Sequence, residues 1–176
     1  MNTHSELSKK DPELSPLQAL VVLIGVVVVL GVLIAFYSLL NIHAAWAGFL
    51  FLLYWSSVDD FAVDRLLRCV CGGLFGFFLL WTLAQSTSLF GDNGIYAFLA
   101  LLMVVIYCLI MKWADWLINP VAMFYLTVGL VPAVQAELDL VDAVLAFLIS
   151  AFYFGSPVVI VHLAKQHRAK TGMVSE

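Results

Sequence analysis

The stretch NIHAAWAGFLFLLYWSSVDDFAVDRLLRCVCGGLFGFFLLWTLAQ, Asn41 to Gln85, decides how the chain is read. It opens on a short apolar segment, Asn41-Ile42-His43-Ala44-Ala45-Trp46-Ala47-Gly48. A charged turn carrying Arg65 and Arg68 follows, then a second apolar segment beginning Cys69-Val70-Cys71-Gly72-Gly73. A similar layout returns from Asn119 to Leu163: a short segment begun by Asn119-Pro120, an acidic turn, and a longer segment rich in small residues. The repetition predicts two like halves inside a membrane.

Composition makes lipid the reasonable solvent. Of 176 residues, 64% are hydrophobic and 11% charged, whereas soluble domains run near half apolar and a quarter charged. The length suits one compact membrane domain. A net charge of −4 with scattered basic residues argues against nucleic acid as a partner. Cys69, Cys71 and Cys108 all fall in apolar segments, an odd count that describes no disulfide framework. Cys69-x-Cys71 has the wrong spacing for zinc and no nearby histidine, so the cysteines read as small packing residues and no metal is expected.

The predicted organisation is all-α. Residues 1–16 form a polar cytoplasmic tail, 17–164 a six-helix transmembrane domain, and 165–176 a second cytoplasmic tail. Ala19 to Leu40 is an unbroken apolar run of roughly 33 Å as a helix, enough to cross a hydrocarbon core of about 30 Å. A cleaved signal peptide would have a shorter apolar core. Five further segments follow: Ile42–Trp55, Leu67–Gln85, Ile95–Met111, Pro120–Val134, and one that runs from the acidic turn Glu137–Asp142 to Ala164. Helices are the expected spans, because lipid leaves unpaired backbone groups without partners and no segment shows a barrel's alternation.

The basic residues set the orientation. If all six segments cross, Lys9, Lys10, Arg65, Arg68, Lys112, Lys165, Arg168 and Lys170, all eight of the chain's Lys and Arg, share one side. The opposite loops carry only acids: Asp92, Glu137, Asp139 and Asp142. The positive-inside rule then places both termini in the cytoplasm. Three spans per half make the halves antiparallel, and matched short segments in inverted halves point to a transport pathway. Local bilayer thinning or tilt also accommodates short helices.

Small residues provide packing seams at Gly72-x-x-x-Gly76 and Ala151-x-x-x-Gly155, either within the chain or in a homo-oligomer. No Asp, Glu, Lys or Arg lies mid-span, which argues against an ion-driven pump. His43 and His162 fall near opposite surfaces, and the five tryptophans mostly near segment ends, as interfacial anchors do. There is no phosphate loop, nucleophile elbow or carboxylate pair, so neither a catalytic residue nor a cofactor is expected.

The run Trp46-Ala47-Gly48-Phe49-Leu50, followed by the Gly72-Gly73 helix, resembles a bacterial inner-membrane family catalogued as domain of unknown function 1097. The resemblance covers about Leu17 to Ala164, mainly in segment order. It departs at Ser56–Asp60, where such proteins tend to have a Gly-rich turn. It implies a small multi-span membrane protein and no particular activity. Two functions are consistent with the sequence. One is a passive channel for a small neutral or weakly cationic solute, lined by Asn41, His43, Trp46, Asn119, Tyr125 and Thr127. The other is a non-transporting membrane subunit that binds a partner or self-associates.

Overall fold

The computed structural model describes residues 15–135 and 139–172. The expected N-terminal tail up to residue 14, Glu137 of the acidic turn and residues 173–176 lie outside the described residues, as do the side chains of Asp92, Arg168 and Lys170. Among the described residues every regular element is helical: α1 (Pro16–Leu39), α2 (Ala45–Ser57), α3 (Val63–Phe90), α4 (Gly94–Ile110), α5 (Pro120–Gly129), the single turn α6 (Pro132–Gln135) and α7 (Leu140–Gly172). A 3-10 turn, Gly91–Asn93, links α3 to α4.

Three of these helices, rather than the six expected from hydropathy, are long and apolar enough to cross a membrane: α1, α3 and the Leu140–His167 part of α7. At 13 residues α2 reaches only about 20 Å, and at 10 residues α5 only about 15 Å. Hydropathy counts apolar residues without registering where the backbone turns. The fifth segment was expected to run to Val134, yet its helix ends at Gly129. Pro132 explains the stop, because it has no N–H and disfavours the helical conformation at Val131.

The helix ends follow local chemistry. α1 closes with Asn41 at φ 56° and the Ile42 N–H donating back to the Tyr37 carbonyl at 2.9 Å. α4 closes the same way, with Lys112 at φ 55° and the Trp113 N–H on the Cys108 carbonyl at 2.9 Å. Both are left-handed caps of the Schellman kind, natural for asparagine and uncommon for lysine. Parts of two expected turns prove to be helix. Arg65 and Arg68 lie in the first turns of α3, and Asp142 lies in the first turn of α7 with Asp139 as its cap.

The chain forms two compact units, one ending at Phe36 and the other beginning at Tyr37. The first is α1 up to Phe36, apolar all round, a pattern compatible with a membrane span. In the second, α2 packs on α7, α5 on α3, α4 on α3, and α3 on α7. Where α2, α3, α5 and α7 meet, the centre is aromatic. Tyr125 lies 4.9 Å from Phe77 and 5.1 Å from Phe147, and Phe147 meets Phe51 edge-on at 5.5 Å.

Close helix approach relies on residues without bulk. A methyl added at Gly76 would come within 2.7 Å of the Ala122 carbonyl and 2.8 Å of the Tyr125 Cβ. Gly72 lies under the Asn119 amide, Gly155 faces Leu66, and Ala151 is buried. Trp55 departs from the interfacial pattern: it is fully buried, and its indole N–H donates to the Ala62 carbonyl at 3.1 Å. That bond, with Phe61 packed edge-on against the indole at 5.3 Å, shapes the turn from α2 into α3.

Candidate functional site, a cavity at the start of α2

Four orphan N–H groups open every helix and need acceptors. α2 finds no cap in its own sequence, since its N-cap position is Ala44. The acceptor comes from α7. One carboxylate oxygen of Asp142 takes the His43 N–H at 2.8 Å and the Ala44 N–H at 2.7 Å. Asp139 serves α7 itself, accepting from the Val141 N–H at 2.9 Å and the Asp142 N–H at 3.2 Å. A negative charge at each position also suits the positive end of a helix dipole.

Around this junction lies a cavity of about 450 Å³, lined by Asn41, His43, Ala44, Trp46, Ala133, Val134, Asp139 and Asp142. Two carboxylates, an imidazole, an amide and an indole face a space of small-molecule size, with no Lys or Arg in the lining. Such a lining attracts cations, through charge and through the indole face. Trp46 also touches Phe77, their centroids 6.2 Å apart, so the cavity ends against the central aromatic cluster.

Asn41, His43 and Trp46 therefore share this cavity, and the other three residues expected to line a pathway lie elsewhere. Asn119 is buried at the start of α5, 1% exposed. Its side-chain oxygen accepts from the Val121 and Ala122 N–H groups at 3.0 and 3.3 Å, and its amide donates to the Arg68 carbonyl at 2.9 Å. Tyr125 is fully buried, its hydroxyl donating to the Ala47 carbonyl at 2.7 Å. Thr127 is exposed and bonds the Met123 carbonyl one turn back on its own helix.

Sequence reasoning counted Asp139 and Asp142 as loop charges and so missed their part in the cavity. Their three-residue spacing ahead of an apolar run was the available signal, because an acid there caps a helix. It also missed the tie from Tyr37, whose hydroxyl bonds the Ala146 carbonyl at 2.7 Å and Ser150 Oγ at 2.6 Å. His162 sits far from this site, paired with Gln166 at 2.8 Å. Among the described residues no group of three His, Cys, Asp or Glu is placed to hold a metal ion. No known family, curated protein or solved structure matches the chain. The likeness to the family of unknown function 1097 thus stays a resemblance, resting on Trp46–Leu50 and the Gly72-Gly73 helix.

Proposed function

We propose that the protein is a small bacterial inner-membrane facilitator that admits a small neutral or weakly cationic solute through the cavity at the start of α2. The observation that carries this reading is that cavity: a polar, cation-attracting space of about 450 Å³ beside apolar helices. With both termini cytoplasmic, it opens outward, on the side without basic residues.

Two inverted halves supply the frame. α2 leans on α7 as α5 leans on α3. The Schellman caps at Asn41 and Lys112 each turn the chain into a short helix. The start of each short helix is tied to a long helix of the other half, by Asp142 in one case and by Asn119 on the Arg68 carbonyl in the other. At the centre Tyr125 of α5 reaches Ala47 of α2, and these stand as far apart in sequence as Asn119 and Asn41. Such pairs of short helices mark the pathway in inverted-repeat carriers. Solute then passes when the Trp46, Phe77 and Tyr125 rings move aside.

Proteoliposome flux of small amines, amides and polyols tests the reading. Flux above empty liposomes is expected, and Phe77→Ala should increase it by thinning the aromatic barrier. No flux for any of these solutes, in either protein, would sink the facilitator. The filled aromatic centre also suits a sealed, non-transporting subunit or a homo-oligomer seam. In that case a stoichiometric partner or a second copy would co-purify from native membrane while flux stayed at background.

A further inference from the structure

The geometry points to a single-chain amphiphile with an amine head as the ligand of this site, its tail lying in a groove beside the cavity. The inference rests on the proposed cation-attracting vestibule and names its substrate class. The groove, about 390 Å³, runs between α3 and α7 and is lined by Leu74, Phe77, Phe78, Trp81, Leu140, Val141, Val144 and Leu145. No residue lines both spaces, which lie on either side of the same stretch of α7. Asp139 and Asp142 line the polar cavity, while Leu140, Val141, Val144 and Leu145 of the same two turns line the groove. Between the two spaces stands one aromatic pair: Trp46 lines the cavity, Phe77 the groove, and their rings are in contact.

Charge decides which occupant fits. A hydrocarbon tail matches a lining whose one polar group is the Trp81 indole N–H, and a stacked Phe78–Trp81 pair at 6.0 Å gives it a flat wall. The head must then lie beside two carboxylates, with no Lys or Arg among the described residues of the lining. That favours an ammonium over a hydroxyl and opposes a phosphate or carboxylate head.

Photolabelling in nanodiscs tests this, using dodecylamine that carries a diazirine at its tail end. Labels are expected within residues 74–81 and 140–145, and dodecylamine should displace the probe about tenfold better than dodecanol at equal bilayer concentration, the worth of a charge-assisted contact. Val141→Trp, at a position 70% exposed and so tolerant of bulk, should abolish the labelling. Equal displacement by dodecanol, or labels spread evenly over α1 and α4, would overturn the inference. Loss of small-amine flux with groove labelling intact would instead fell the facilitator and leave the amphiphile site standing.

Discussion

Asn119 does the work of several residues at once. It caps α5 with its oxygen, ties that helix to α3 with its amide nitrogen, and lies over Gly72. Asn119→Ala should lower stability by about 1–2 kcal/mol through the lost cap, and by about 1 kcal/mol more through the lost bond to the Arg68 carbonyl. Thermal unfolding in detergent measures the sum, and an unchanged midpoint would deny the cap its role. Asn119→Asp keeps the acceptor and loses the donor, so it should fall between the two. At Gly76 the opposite fault applies. Alanine there crowds the Ala122 carbonyl, and overpacking costs about 1–3 kcal/mol. Tyr125→Phe removes one bond to the Ala47 carbonyl and should cost only about 0.6 kcal/mol, a usual figure between membrane helices. The order of midpoints across these variants tests whether packing or polar contacts hold the centre. The sequence exposed Asn119 by its place before Pro120 but not its task, since the Arg68 carbonyl lies 51 residues away.

Short helices give the element scale its clearest contrast. α2 is capped from another helix, by Asp142, and α5 is capped from within, by Asn119. The first arrangement leaves a cavity and the second fills its space with a side chain. Cysteine substitution with a membrane-impermeant thiol reagent should therefore separate the two asparagines. Asn41→Cys, in the cavity lining, is expected to label from the periplasm; Asn119→Cys, buried, is expected to stay silent from either side. Labelling at position 119 would refute the sealed start of α5. Asp142→Ala should free the start of α2 and raise labelling at position 41 severalfold. An unaltered rate would show that the carboxylate does not hold the helix. The ion pairs of Arg65 with Asp59 at 3.3 Å and Arg68 with Asp115 at 2.9 Å carry less weight. Both arginines are about half exposed, and such pairs contribute about 0–1 kcal/mol.

On the scale of the whole molecule, the decisive test is which side of the membrane each turn occupies. A reporter fused after Arg68 should prove cytoplasmic, and one inserted after Asn93 periplasmic. A periplasmic signal at Arg68 would dissolve the proposed inverted halves, because the two halves would then not run in opposite directions. Residue types alone carried the all-helical class and three helices long and apolar enough to cross a membrane, where six were expected, since lipid burial and backbone satisfaction depend on composition and run length. They also marked Asn41, His43 and Trp46, which stand close together in the chain and so stay close in the fold. Sequence could not show that Asp142 holds the start of α2, that Asn119 ties α5 to α3, or that Tyr125 points into the core. Each of these depends on contacts between residues far apart in the chain: Asp142 with His43, Tyr125 with Ala47, Asn119 with Arg68. Local hydropathy reports what a segment prefers to touch, and only tertiary packing decides which neighbour it meets.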